Sequence, residues 1–263
     1  MGREWNAEAY HRLSEPQYAW GRRVLERLSL RGDETVLDSG CGTARLTVEL
    51  ARLIPRGRVL AVDLSQNMLR QARETFAAAG ASVRARVDFA CADSAALPFD
   101  SAVDGVFSTA SFHWVLNHDA LFRSVFTALK PGGWLIAQCG GGPNLLGLRR
   151  RAEALMKSPE FENYFVGWRQ AQNYSTDVET TERLRKAGFR DIATWLHRED
   201  VTFPNPETYR EFLETVTLHA DLARIPDPVL RDRFLDILTE QALSDPQLGL
   251  DYWRLNIYAR KPD

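Results

Sequence analysis

Short apolar stretches separated by helix-like ones set the rhythm of the first half of the chain. Apolar runs begin at Thr35 and recur near 58–62, 86–90, 103–107 and 134–139, and helical stretches near 45–53, 66–79 and 119–129 fall between them. That alternation predicts an α/β fold built on a doubly wound, mostly parallel sheet. An earlier helix is expected from Pro16 to Leu30, where Tyr18, Val24, Leu25 and Leu28 recur at roughly helical spacing, with Gly32-Asp33 breaking it. Ser65-Gln66 and Asn117 to Asp119 offer N-caps. The chain closes on Trp253, Leu255, Ile257 and Ala259 alternating with more polar neighbours, which marks a strand. With a sixth strand near 190–200, after Leu184 to Phe189, the sheet has seven strands.

After Cys139 the pattern changes. Gly140-Gly141-Gly142-Pro143-Asn144 is a flexible run at the end of a central strand. Residues 145–176 carry Phe161, Tyr164, Phe165, Trp168 and Tyr174 without strand alternation, and a second stretch from Pro204 to about Pro246 holds two more helical segments. The expected organisation is a helical N-terminal segment at 1–34, a sheet core at 35–140, 177–203 and 248–263, and helical insertions at 141–176 and 204–247 forming a lid.

The chemistry is concentrated at Asp38-Ser39-Gly40-Cys41-Gly42, where the first apolar run ends in an acid and a glycine-containing turn. Glycines let a backbone turn tightly against a ligand at the carboxyl end of a strand, where open α/β sheets bind. A dinucleotide would need a third glycine where Arg45 stands, and Asp38 would oppose its phosphates. A cationic nucleoside without phosphate suits the acid better, and S-adenosylmethionine, with its ammonium and sulfonium, is such a ligand.

The turn resembles the first motif of the class I S-adenosylmethionine-dependent methyltransferases, and four further elements match in order. Arg58 to Asp63 is a second strand ending in an acid 25 residues after Asp38; the resemblance implies that Asp63 binds the ribose hydroxyls and that Leu64 and Met68 flank the adenine. Val87 to Phe99 matches the third element, in which Asp93, between Ala92 and Ser94, binds the adenine amino group. Val103 to Trp114 matches the strand and loop along which the methyl group passes, Ala110 included, and Leu129-Lys130-Pro131-Gly132-Gly133-Trp134 the helix end and turn before the fifth strand. The implied fold is the Rossmann-like methyltransferase fold with an antiparallel seventh strand. Implied cofactor contacts are Asp38, Gly40, Cys41, Gly42, Asp63, Leu64, Met68, Ala92, Asp93, Ser94 and Ala110. Ala44 departs from the pattern, since a glycine is common there.

Trp5-Asn6 with Tyr10, His113-Trp114 and the two insertions are similar to the trans-aconitate and juvenile hormone acid methyltransferase group, which implies carboxyl O-methylation of a small molecule. Quinone, phenol and polyketide C- or O-methyltransferases share the outline, and a non-catalytic S-adenosylmethionine-binding module stays open. His113 is the candidate for proton transfer, against the alternative of a simple aromatic wall. His118, at a helix start, reads as a capping or surface residue. Candidate acceptor contacts are Tyr10, Trp20, Trp114, Trp168 and Arg169; Arg149-Arg150-Arg151 reads as a solvated face.

Composition narrows the classes further. The 263 residues are 44% apolar and 26% charged with a net charge of −2, so the totals carry no electrostatic footprint for nucleic acid. Cys41, Cys91 and Cys139 form no paired metal-ligand motif. No apolar run reaches the ~18 residues of a membrane span, and Met1-Gly2-Arg3-Glu4 begins no signal peptide, so a cytoplasmic enzyme is expected.

Overall fold

Parallel strands covered on both faces need side chains that are apolar in both directions, and the central runs of this chain meet that requirement. In the computed structural model, which describes residues 5–263, they form β1 (Thr35–Ser39), β2 (Arg58–Asp63), β3 (Val87–Cys91), β4 (Val103–Thr109) and β5 (Leu129–Gly140). Met1-Gly2-Arg3-Glu4, on which the expectation about a leader falls, lie outside the described residues. The sheet is completed by β6 (Arg190–Arg198) and, after the short β7 (Val201–Thr202) and β8 (Gly249–Leu250), by β9 (Trp253–Arg260).

Its order is β3-β2-β1-β4-β5-β9-β6. β1 pairs in parallel with both β2 and β4, β2 with β3, and β4 with β5. The chain therefore winds outward in opposite directions from β1 and β4, and the crevice at the carboxyl ends of these two strands is where such sheets bind ligands. Neighbouring residues of one strand serve opposite layers, as the two-residue period requires. Val36 and Phe107 pack with Val24, Leu50 and Phe76, whereas Leu37 and Val106 pack with Phe122, Val125 and Phe189.

Helices α1 (Ala7–Leu13) and α2 (Glu15–Leu25) precede the sheet. α2 stops five residues short of the expected Leu30. Leu28 and Leu30 still pack on the core, so their apolar spacing persists in chain that is no longer helical, and Arg27 Nη1 donates to Asn256 Oδ1 at 2.6 Å. α3 (Arg45–Leu53), α4 (Gln66–Ala77), the short α5 (Ala81–Arg84) and α6 (His118–Ala128) follow between strands. Ser65 caps α4 by accepting from Met68 N, and Asn117 caps α6 by accepting from Ala120 N.

The chain divides into two compact units. The first comprises the residues up to Gly142 together with Asn173–Leu196 and Leu255–Asp263; the second comprises Pro143–Gln172 and His197–Arg254. Within the second unit, β7 pairs antiparallel with β8, Val201 opposite Leu250 and Thr202 opposite Gly249.

Within the second unit, α7 (Leu146–Met156) is the one α-helix of the first stretch, because Pro159 and Gly167 interrupt what composition alone suggested would be helical. Arg224 holds the irregular part by donating to the carbonyls of Tyr164 and Val166. In the first unit, α8 (Asp177–Ala187) begins at a Thr176/Glu179 capping box. The second stretch of the second unit carries α9 (Pro206–Phe212), a π-helical turn at Leu213–Thr217, α10 (His219–Leu222) and α11 (Pro228–Ala242). Phe161 and Phe165 pack on Phe234 at its centre. Among the described residues, no helix is long and apolar enough to cross a membrane.

Candidate active site

The turn after β1 is built from positive-φ residues: Gly40 at +80°, Gly42 at +53° and Ala44 at +63°. Gly40 N and Cys41 N donate to Val62 O at 2.8 and 2.9 Å, which lays the turn over the end of β2. The two glycines have different reasons to be there. A Cβ on Gly40 would sit 1.9 Å from Ser111 Oγ, whereas a Cβ on Gly42 would meet nothing within 4 Å. Gly42 therefore borders open space, as a cradle for a bound nucleoside must. Ala44, buried, holds the left-handed conformation that a glycine would adopt without strain.

Asp63 ends β2 with both carboxylate oxygens oriented by the backbone. Oδ2 accepts from Gly42 N and Oδ1 from Ser65 N, each at 2.9 Å. An ionised carboxylate has about four acceptor sites, so two such bonds fix its plane and still leave capacity for a pair of hydroxyls. Asp93, exposed, caps the turn Ser94–Ala96 by accepting from Ala95 N at 2.8 Å. Ala92 N donates to Asp63 O, and buried Ser94 shares a 2.7 Å hydroxyl contact with Ser39. The two expected adenine neighbours part company: Leu64 is 46% exposed, whereas Met68 is buried in α4. The Cys41 thiol is pushed well up in pKa by burial, with the Asp63 and Asp38 charges adding to the rise, and stays protonated at neutral pH.

Asp38, at the same strand end, is buried and accepts from Thr47 Oγ1 of α3 at 2.6 Å. Burial pushes its pKa up to about 7, the Thr47 bond opposes this, and the charge of Asp63 adds to it. An unfolded aspartate titrates near about 3.9. Between that pH and about 7 the native state holds the extra proton, so stability falls as pH rises through the window. Asp38→Asn, which removes the buried charge, is expected to raise the melting temperature at pH 8 and to leave it nearly unchanged at pH 5; thermal unfolding at the two pH values checks this.

The N-terminal helices reach the same turn. His11 Nδ1 lies 3.0 Å from Thr43 Oγ1, and burial, followed by the charge of Arg45, lowers the pKa of this imidazole. Arg45, which replaces the third glycine of a dinucleotide site, lies 3.8 Å from the centre of the Tyr18 ring and pairs with Glu15 at 2.8 Å. Trp20, for which core packing stood beside an acceptor contact, is buried in α2.

Beyond β4, Ala110 takes φ +51° and donates to Gln138 O at 2.8 Å, and a 3₁₀ turn follows at Phe112–Trp114. His113 is buried there and held from three directions. Gly140 N donates to its Nδ1 at 3.3 Å, Asn173 N donates to its carbonyl at 2.7 Å, and the Tyr174 ring stacks on it at 5.7 Å. A nitrogen that accepts a backbone N–H carries no proton, so the neutral ring is the Nε2–H tautomer. The aromatic contacts continue from His113 to Trp114 at 5.3 Å, from Trp114 to Trp5 at 5.0 Å and from Trp5 to Tyr10 at 5.4 Å. Tyr10, His113 and Trp114 are thereby brought together. Trp5 and Tyr174 join them although neither was singled out for the site; the aromatic enrichment around each was the available signal.

His118 is not at the surface: it is 3% exposed at the start of α6. Trp168 and Arg169 belong to the second unit, where the Trp168 indole N–H donates to Asp221 Oδ1 at 2.7 Å and Arg169 is exposed. Of the three consecutive arginines, Arg149 donates to Asn144 O, Arg150 is exposed and Arg151 pairs with Asp245.

Comparison with known proteins bears on this arrangement. A methyltransferase domain model matches residues 36–133, the stretch from β1 into β5. A trans-aconitate 2-methyltransferase of Paracidovorax citrulli is 31% identical over 67% of this chain, which spans 63% of that protein's length. Another of the same name, from an Acidovorax species, is 26% identical over 90% of this chain and 88% of its own. Phosphoethanolamine N-methyltransferase 2 of Haemonchus contortus, in complex with S-adenosyl-L-methionine, superposes with a TM-score of 0.61 at 25% identity, covering 98% of this chain and 57% of that one. The acid-bearing strand ends and the glycine turn lie inside the matched domain, and this chain belongs to the class I S-adenosylmethionine-dependent methyltransferases, with S-adenosylmethionine as its methyl donor.

Proposed function

We propose that this methyltransferase acts on a small organic acid and forms a methyl ester at a carboxylate oxygen. The observation that carries the reading is the Gly140 N–H aimed at His113 Nδ1. It keeps the imidazole proton on Nε2, so His113 offers a hydrogen-bond donor and no vacant site for a proton. A carboxylate is already ionised at neutral pH and needs no base, whereas a phenol or an ammonium acceptor must lose a proton. The names of the two trans-aconitate relatives agree with this choice.

Bound S-adenosylmethionine supplies an electrophilic methyl group on a sulfonium. Asp63 holds the ribose through its two oriented oxygens, Asp93 receives the adenine amino group, and the backbone from Gly40 to Gly42 lies against the cofactor. Tyr10 and Trp114 wall the acceptor and exclude water, so the work of the chain is alignment rather than proton transfer. A carboxylate oxygen gains the methyl group, the sulfur keeps the electron pair of the broken bond, and no proton moves.

A screen of small acids, phenols and amines for transfer of a labelled methyl group, trans-aconitate among them, tests the reading. Products from acids should release labelled methanol in alkali. Transfer to phenols or amines and to no acid would overturn it. His113→Ala is expected to lower kcat about tenfold, the scale of one hydrogen bond, without adding or removing a titration between pH 6 and 9.

A further inference from the structure

Behind His113 lies a buried polar network whose hydrogens do not balance. The Ser175 hydroxyl, 2% exposed, contacts three groups: Arg183 Nη1 at 2.6 Å, Asn173 Oδ1 at 2.9 Å and His118 Nδ1 at 3.1 Å. Arg183 can only donate, so it takes a lone pair of Ser175. Asn173 turns its amide nitrogen to Leu116 O at 3.0 Å, which leaves Oδ1 facing Ser175 as an acceptor. The other ring nitrogen of His118, Nε2, faces Phe112 O at 3.0 Å and must donate. One hydroxyl hydrogen is thus requested by both Asn173 Oδ1 and an unprotonated His118 Nδ1. Only a His118 with hydrogens on both nitrogens satisfies every contact.

We propose that His118 and Ser175 are positioning residues for His113: when His118 takes a second proton at Nδ1 from solvent and donates it to Ser175 Oγ, the Ser175 hydroxyl keeps its hydrogen and directs it wholly to Asn173 Oδ1, and Asn173 carries the change to His113. The last link is the 2.7 Å bond from Asn173 N to His113 O. The Asn173 side-chain Nδ2 also donates to Leu116 O, so two points of the loop that follows β4 are held by this one residue, His113 O by its main-chain N–H and Leu116 O by its side chain. The charged groups around His118 are Arg183 and Glu179 of α8 and Asp119 of its own helix, with the Phe122 ring edge-on at 5.7 Å. Burial lowers the His118 pKa, the Phe112 carbonyl opposes this, and Arg183 lowers it further. At neutral pH the ring is therefore neutral and the hydrogen is contested; below the ordinary histidine range the network becomes complete. Its importance for catalysis rests on the reading that His113 meets the acceptor.

The test follows the five histidine side chains and the Asn173 amides by nitrogen-resolved NMR from pH 8 to pH 5. His118 should pass from the singly to the doubly protonated form, and the His113 ring and Asn173 side chain should shift with the same midpoint. In Ser175→Ala, His118 still titrates but the other two signals no longer follow it, and Ser175→Thr restores the coupling. A His118 that stays singly protonated down to pH 5, or His113 signals that ignore it in the unaltered protein, overturns the proposal without any variant having to fold. With an acid found in the methyl-transfer screen, Ser175→Ala should lower kcat about tenfold and leave KM for S-adenosylmethionine within twofold. Coupled signals with an unchanged kcat would keep the relay and remove His113 from the acceptor.

Discussion

Asp63→Ala is expected to weaken S-adenosylmethionine binding by about 1.5–3 kcal/mol, roughly 10- to 150-fold in Kd, the range for hydrogen bonds to a charged group. The demethylated product should lose as much, because the ribose is common to both, and calorimetry with the two ligands reads the difference directly. The carboxylate also receives Gly42 N and Ser65 N. Its removal therefore loosens the turn together with the sugar site. Asp63→Asn should fare little better, since one face of the new amide presents hydrogens to a backbone N–H. Undiminished affinity in both variants would remove Asp63 from the cofactor site.

The two glycines of the turn should fail in different ways. Gly40→Ala places a methyl group where Ser111 Oγ and Cβ stand, at a φ of +80°, and is expected to cost about 2–4 kcal/mol of folding stability. Gly42→Ala meets nothing within 4 Å and carries only the backbone penalty of about 1–2 kcal/mol. Its methyl group projects into the open space assigned to the ligand, so its larger effect should appear in cofactor affinity. Denaturant unfolding and calorimetry on the same pair of variants separate the two behaviours. Equal losses of stability would mean that Ser111 yields and that the close approach carries no load.

Most of the sheet was legible because buried parallel strands are short apolar runs, and those starting at Thr35, Arg58 and Val103 stop at an acid, a glycine or a polar turn. The caps at Ser65 and Asn117 were legible because capping is local. The end of α2 was not, since Leu28 and Leu30 keep an apolar rhythm that packing on the core sustains without a helix. The acids Asp63 and Asp93 could be placed at strand ends by position alone. The direction of Asp38 depends on Thr47, nine residues on in another element, and no periodicity reveals which way a carboxylate turns. His113 shows the same limit more sharply. Its side chain was visible as a candidate, but its protonation site is decided by the backbone of Gly140, 27 residues away. His118 was read as a cap or surface residue because a polar residue opening a helix usually is one; burial by Phe122 and the Ser175 contact are products of the fold.

Gly140 lies just before the point where the chain leaves the first unit, and Asn173 and Tyr174 lie where it returns. All three touch His113, and Gly142 N donates to Ser175 O across the same gap. Departing and arriving polypeptide thus meet at a single histidine, Gly140 and Tyr174 at its ring and Asn173 at its carbonyl. Any shift of Gly140, Asn173 or Tyr174 acts directly on this histidine, which makes its ring a sensible place to read a spectroscopic signal.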